Sequence, residues 1–318
     1  MKVTVAVSNL EKLLTRICVN SGLSALEAAP IVTNYLDAEL LGKSTHGLSK
    51  FCFESKFFSQ RVGSPQVVVD TGPLLKVDGN KEVGPIAAQF CVQLAAERAK
   101  KYGVCILGLH NIQRYGILSH WVNQLAKQKL FGVLVNTCES AMTGFKGTKK
   151  VLGTNPIAFT IPTKEKTYTV DMATSKVAMS LIWKALREEE TLPDNTFFDQ
   201  EGEVTIDPSK AKAVQHFGGI KGFSIALLVQ LLSGSVFGFK MASEIKSFYD
   251  IGYVFIVVDP SKVTSYEELL LANQKLIDEL VASGAVIPGS RSANHTKPKQ
   301  IEISSSVWDE LQQLGKNV

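Results

Sequence analysis

The sequence contains no Gly-x-Gly-x-x-Gly, no Cys-x-x-Cys, no internal repeat and no low-complexity tract. Without that glycine fingerprint, a Rossmann dinucleotide domain has no sequence support. The five cysteines, Cys18, Cys52, Cys91, Cys105 and Cys138, are odd in number, widely spaced and mostly in apolar surroundings. That pattern argues for reduced thiols in a cytosolic protein and against a disulfide framework or zinc site; no metal is expected. Basic residues outnumber acidic ones only by 34 to 30 and form no dense block, so nucleic acid is not an expected partner. The N-terminal Met-Lys-Val-Thr-Val-Ala-Val-Ser lacks an apolar core long enough for secretion, which makes the cytoplasm the expected location. Long uncharged runs are also scarce. Only Gly222 to Phe239 is free of charge over a roughly bilayer-spanning length, and its three glycines, three serines and Gln230 favour a buried helix, so no membrane is expected.

What is present is an ordinary globular composition. With 45% hydrophobic and 20% charged residues over 318 positions, the chain can bury a large core in two domains or one elaborated domain. The most informative stretch is Gly153 to Ser175. Gly153, Thr154, Asn155 and Pro156 form a polar corner before the apolar run Ile157 to Ile161, and Lys164-Glu165-Lys166 makes a solvated turn before the strand Tyr168-Thr169-Val170. Asp171, Thr174 and Ser175 then offer cap oxygens at an expected helix start, an end that attracts anions such as pyrophosphate. By spacing alone, the same residues make only a hairpin and a capped helix.

Around this stretch the pattern alternates between helix and strand. Ser8 to Glu11 and Ser24 to Glu27 have capping-box spacing, each before a helical apolar pattern, and Ser265-Tyr-Glu-Glu268 caps another helix near the far end. The second helix delivers Lys43-Ser44-Thr45-His46-Gly47 into a turn. His46 has an ordinary pKa suited to proton transfer, although a lone histidine is more often structural. Short strands are expected at 66–70 and 74–77, a turn at Asp78-Gly79-Asn80, and a helix from Pro85 to Gly103. A buried strand at 104–109 points His110 to Gly116 beyond its end, and another follows at 131–136. After Ser175 a helix is expected to about Arg187, then a polar loop over 193–208, long enough to mark the edge of a site. Gly218-Gly219-Ile220-Lys221-Gly222 opens the apolar helix, where glycines admit a close ligand and Lys221 supplies a cation.

Seven motifs, in order along nearly the whole chain, carry a resemblance. They are Thr45-His46-Gly47, Val77-Asp78-Gly79, Arg114-Tyr115-Gly116, Gly153 to Phe159, Asp171 to Ser175, Gly219-Ile220-Lys221-Gly222 and Pro288-Gly289-Ser290-Arg291. Together they resemble the malate/L-lactate dehydrogenase family, which includes ureidoglycolate, sulfolactate and diketogulonate oxidoreductases and piperideine-2-carboxylate reductases. The resemblance implies a non-Rossmann, sulfolactate-dehydrogenase-like α/β fold, with a central mixed sheet, flanking helices and a helical domain from both chain ends. Residues 1–75 and 265–318 would form the helical substrate and dimerisation domain, residues 76–264 the dinucleotide-binding sheet domain, and the protein a homodimer. It also implies NAD or NADP and a small substrate bearing a carboxylate. The matching cofactor positions are Asp171, Met172, Ala173, Lys221, Gly222, Gly289, Ser290 and Arg291, with Cys138 and Thr154 as further candidates.

The catalytic candidates are His46, Thr45, Lys50 and Arg114, and here the chain departs from the family pattern. Thr45 stands where the family has serine, and Lys50 where it has an arginine that anchors the carboxylate; lysine keeps the charge and loses the bidentate fork. Leu41 and Met179 also replace arginines. Arg114 occupies the place of the family's catalytic histidine, and an arginine cannot shuttle a proton at neutral pH. His46 is then the remaining matched histidine; His110, His120, His216 and His295 have no motif support. The implied function is NAD(P)-dependent hydride transfer to or from a small 2-oxo or 2-hydroxy acid or a cyclic 2-imino acid. The alternative is a non-catalytic dinucleotide-binding member that has lost its proton relay.

Overall fold

The computed structural model describes residues 2–293 and 298–316, with His295 outside them. The chain opens with β1 (Lys2–Ala6), α1 (Val7–Asn20), α2 (Ala25–Leu40) and α3 (Leu48–Glu54). It continues through β2 (Gln66–Asp70), β3 (Leu74–Glu82), α4 (Gly84–Tyr102), β4 (Val104–Ile112), α5 (Leu118–Lys127) and β5 (Phe131–Asn136). Short strands β6 (Met142–Thr143) and β7 (Lys150–Leu152) precede the hairpin β8 (Ile157–Pro162) and β9 (Thr167–Met172). Then come α6 (Leu181–Glu188), β10 (Phe197–Phe198), β11 (Val204–Thr205), β12 (Ala213–Val214), α7 (Ile220–Leu232) and β13 (Tyr253–Val258). The last elements are α8 (Tyr266–Ala282), α9 (Ser290–Ala293), β14 (Gln300–Ser304) and α10 (Ser305–Leu314).

A seven-stranded mixed sheet, ordered β2-β3-β4-β13-β5-β8-β9, forms the centre; β3 and β4 run parallel and the other neighbours antiparallel. β13 alternates its side chains between two cores. Tyr253, Phe255 and Val257 pack with α4 and α5 on one face, while Val254 meets Val135, Phe237, Phe239 and Val229 of α7 on the other. Each such large buried apolar side chain contributes about 1.5–3 kcal/mol relative to exposure. α4 lies close to the sheet because Ala87, Ala88, Cys91, Ala95, Ala96 and Ala99 are small, and Gly103, at φ +86°, ends it in a left-handed cap.

The two chain ends share one core. β1 pairs antiparallel with β14, and Leu10, Leu14, Ile31, Tyr35, Phe51 and Phe58 pack with Ile303 and Leu311. The capping boxes at Ser24 and Ser265 form. The one expected at Ser8 does not, because α1 starts at Val7 directly behind β1 and leaves Ser8 inside the first turn. The turn expected at Asp78-Gly79-Asn80 is an irregularity inside β3: the register with β4 shifts between Asp78 and Glu82, Asn80 N–H donates to Asp78 Oδ1 at 2.8 Å, and Asn80 and Lys81 have φ of 51° and 56°. Residues 66–70, grouped by sequence with the helical ends, are an edge strand of the large sheet. α8, grouped the same way, lies against β8, where Asn273 Nδ2 donates to Pro162 O at 2.9 Å.

The helix expected to begin at Asp171 is absent at that point: Asp171 and Met172 close β9, and α6 begins only at Leu181. Pairing with β8 continues to Met172, so the sheet takes up the backbone groups a helix would have needed. The expected loop at 193–208 carries β10 and β11 of a second, five-stranded sheet. α7 is only half buried. Gly222, Ala226, Val229 and Gln230 face inward, whereas Ile220, Leu227, Leu228 and Leu231 are exposed. Ile220–Phe237 is long and apolar enough to cross a membrane, but Val229 and Phe237 pack against the central sheet.

Asn34 of α2, fully buried, joins the chain-end core to the loop after β4: its Oδ1 accepts from Ile117 N–H at 3.2 Å. Gly116 lies beneath it at φ +79°, where a Cβ would overlap that same oxygen. Gly116→Ala is therefore expected to cost about 2 kcal/mol, from left-handed strain together with the displaced Asn34 hydrogen bond. Urea unfolding followed by circular dichroism measures this, and an unchanged midpoint contradicts the assignment.

Candidate active site

A cavity of about 470 Å³ opens where the turn after α2, α3, the loop after β4 and the ends of β5 and β9 meet. Its walls include Thr45, His46, Lys50, Arg114, Cys138, Thr154, Asp171 and Ala173, residues spread over nearly 130 positions of sequence. Lys43, Glu54 and Ser175 line it as well.

Asp171 anchors one wall. Its Oδ2 accepts from Lys43 Nζ at 2.6 Å and from the backbone N–H of Ser119 at 3.0 Å, in the first turn of α5. An ammonium and a helix N-terminus thus hold one carboxylate oxygen. Beside it, the single turn Ser44–His46 places Thr45 Oγ1 3.1 Å from His46 Nδ1. The His46 ring is open to the cavity, yet the protein around it pushes its pKa below the usual histidine value; Asp171 opposes this, while Lys43, Lys50 and Arg114 reinforce it.

Lys50 and Glu54 are one helical turn apart on α3, with Lys50 Nζ 3.5 Å from Glu54 Oε1. Glu54 is only 8% exposed, and Tyr35 Oη donates to its Oε2. Burial raises its pKa above the carboxylate range, against the pull of Lys50, the Tyr35 hydrogen bond and Arg114. Arg114 Nη2 donates to Glu139 Oε1, and Nη1 lies 4.0 Å from Glu54 Oε1. Burial opposes the Arg114 charge, and these two carboxylates outweigh it. Cys138 Sγ sits 3.7 Å from Thr154 Oγ1, its thiol pKa raised by burial, which makes it a wall rather than a nucleophile.

Not every expected residue arrives here. Met172, one residue along β9 from Asp171, is 41% exposed and outside the cavity, as strand alternation requires. Lys221 and Gly222 open α7, where Gly218 and Gly219 line a separate cavity of about 350 Å³ together with Lys146, Lys176 and His216. Gly289, at φ +84°, packs so closely on Thr169 of β9 that a Cβ would overlap its backbone, and Ser290 and Arg291 continue into α9. Of the residues that sequence reasoning missed, Glu54 carried a usable signal in its i,i+4 spacing from Lys50. Lys43 and Glu139 carried none, since their partners are distant in sequence. Among the described residues, no group of three or more His, Cys, Asp or Glu is placed to hold a metal.

A family model described as malate/L-lactate dehydrogenase matches residues 5–312. The malate/(S)-sulfolactate dehydrogenase of Methanothermus fervidus is 29% identical over 297 residues, covering 88% of this chain and 88% of that protein. The ureidoglycolate dehydrogenase (NAD(+)) of Escherichia coli K12 is 25% identical over 295 residues, covering 88% and 82%. The solved sulfolactate dehydrogenase of Methanocaldococcus jannaschii superposes with a TM-score of 0.89 at 25% identity, over 98% of this chain and 96% of that one.

The surroundings of His46 predict its titration. Ring-proton NMR, with His46→Asn to identify the signal, is expected to give a midpoint below about 6.5, the ordinary histidine value. Lys43→Met should raise it, because a neighbouring cation is lost while Asp171 remains. A midpoint above the ordinary value in the parent contradicts this electrostatic reading.

Proposed function

Because the chain belongs to the malate/L-lactate dehydrogenase family, we propose that it is an NAD(P)-dependent oxidoreductase of small 2-oxo or 2-hydroxy acids or cyclic 2-imino acids. One observation carries this reading: His46, its Nδ1 3.1 Å from Thr45 Oγ1, shares a cavity with the cations Lys50 and Arg114. Relatives in the family are named for NAD or for NADP.

The residues present fit a dinucleotide. Ser175 Oγ is buried at the cavity without a hydrogen-bond partner, an orphan that a ligand hydroxyl or amide would satisfy. Asp171, Ala173, Thr154 and Cys138 would line the nicotinamide side. Lys221, Gly222, Gly289, Ser290 and Arg291 are the proposed contacts of the remainder, and Met172 would meet it only from outside the cavity. When bound, the cofactor supplies or accepts the hydride.

The chain's own residues handle charge and proton. Thr45 engages His46 Nδ1, which leaves Nε2 to take the hydroxyl proton of a 2-hydroxy acid; in reduction, the imidazolium returns it. Lys50 and Arg114 bind the carboxylate, and Arg114 keeps its charge throughout. A second reading draws on Arg114 standing where proton transfer was expected and being tied already to Glu139: a member that binds the dinucleotide without turnover. The exposed Leu227, Leu228, Leu231 and Val236 support a homodimer, the free cysteines a cytoplasmic location, and the core shared by the chain ends a substrate and dimerisation unit.

Initial rates with NADH and NADPH over a panel of 2-oxo acids test the catalytic reading. His46→Gln is expected to lower kcat at least about a hundredfold, and Arg114→Ala to act mainly on KM. A lowered His46 pKa means that reduction, which needs the imidazolium, slows as pH rises through it, while oxidation, which needs the neutral ring, speeds up. Turnover indifferent to both replacements defeats the assignment, and cofactor binding without turnover favours the second reading. Light scattering at micromolar concentration is expected to give twice the 34.6 kDa chain mass; a monomer mass refutes the dimer.

A further inference from the structure

Thr45 and His46 lie on the loop between α2 and α3, and one residue closes that loop at both ends. Glu39, in the last turn of α2, accepts from Gly42 N–H through its backbone carbonyl at 2.9 Å, and its side-chain Oε2 accepts from Leu48 N–H at 2.8 Å. Lys43, Thr45 and His46 fall between the two contacts. Leu48 is the first residue of α3, where a helix offers its own N–H groups no acceptor, so this N–H depends on a side chain from elsewhere. Gly47 fits tightly against the closure: a Cβ there would lie 2.2 Å from Glu39 Oε2 and 3.0 Å from its Cα and Cβ. The backbone on the C-terminal side of His46 is therefore pressed onto Glu39.

The other contacts of the loop do different work. His46 N–H donates to Lys43 O at 2.8 Å and shapes the single turn itself, while Lys43 ties the loop to Asp171 of the sheet. The Glu39 contact instead joins the end of the loop to α2, a helix fixed in the chain-end core by Ile31, Tyr35 and Leu36. Because Leu48 starts the helix that carries Lys50, the same contact sets His46 and Lys50 relative to one support. Charge is not what the contact needs. Burial raises the Glu39 pKa while the Leu48 hydrogen bond lowers it, and a carboxyl oxygen accepts in either state. Glu39 is not among the residues lining the cavity, so it acts through those it holds.

We propose that Glu39 is a positioning residue: by accepting from Leu48 N–H, its side-chain oxygen holds the loop so that His46 meets the reacting hydroxyl or carbonyl and Lys50 the substrate carboxylate. The catalytic part of this assignment rests on the oxidoreductase reading above.

Hydrogen-exchange NMR on the protein alone reads the contact. Glu39→Ala is expected to speed Leu48 amide exchange at least about tenfold, while the Phe51 amide, bonded to Gly47 O at 3.0 Å, keeps the parent rate. Glu39→Gln, which retains an accepting oxygen, should leave both rates near the parent's. In the same pair, the His46 ring midpoint is expected to rise toward the ordinary histidine value in Glu39→Ala, as water reaches a loosened turn, and to stay low in Glu39→Gln. Initial rates with a 2-oxo acid and NADH or NADPH should show kcat reduced at least about tenfold in Glu39→Ala, since a misplacement of about 1 Å can cost about a hundredfold, and largely restored in Glu39→Gln. If Glu39→Ala fails to fold, Glu39→Asp, one methylene short of Leu48, carries the same expectations in smaller measure. Unchanged Leu48 exchange in the shortened variants, or Glu39→Gln as damaging as Glu39→Ala, overturns the assignment. A parent without turnover on any acid of the panel defeats the oxidoreductase reading instead, and the exchange and titration measurements still decide whether Glu39 holds the loop.

Discussion

The ion pair between Lys43 and Asp171 is the contact on which the site depends. Lys43 belongs to the turn leaving the chain-end core, and Asp171 closes the last strand of the central sheet. The same carboxylate oxygen also receives the first-turn N–H of α5, so three elements converge on one atom. Asp171 is 11% exposed, and removing its partner would leave a charge with little water to replace it. Breaking a fully buried pair generally costs about 3–5 kcal/mol; with Lys43 34% exposed and the Ser119 N–H still in place, this pair falls below that range. The turn carrying Thr45 and His46 is thereby held against the sheet.

Arg114 gains its meaning from what surrounds it. A guanidinium in place of a proton-transfer group would be a bare loss if it pointed at solvent. Here it is ion-paired to Glu139, and its Nη1 lies 4.0 Å from Glu54 Oε1 at the cavity wall. Its backbone is fixed by close packing: Gly84 leaves no room for a Cβ against the Arg114 and Gln113 carbonyls, and Gly116 fits beneath Asn34. The Arg114-Tyr115-Gly116 motif is therefore as much a packing requirement as a chemical one.

The separate cavity at the start of α7 bears on how the two motif groups relate. His46, Asp171 and Arg114 share one cavity, whereas Lys221 and the Gly289 loop lie elsewhere on the molecule. Motifs that fall together by family likeness thus do not all meet in one cavity.

Local chemistry alone determined a good part of this protein. The capping boxes at Ser24 and Ser265, the left-handed stop at Gly103 and the β8–β9 hairpin were legible because each is decided within a few residues by backbone geometry and hydrogen-bond supply. Motif order made the α/β fold and the gathering of Thr45, His46, Lys50 and Arg114 legible by resemblance. What the tertiary structure alone decided involves partners far apart in sequence. β1 exists because β14 pairs with it, Asp171 ends a strand because β8 extends beside it, and half of α7 remains uncovered because the sheet needs only one of its faces. The charge state of the site belongs to the same class. No local pattern reveals that Lys43 meets Asp171 or that Arg114 meets Glu139, because electrostatic neighbours are set by chain packing, and only that packing removes the water that would otherwise screen them.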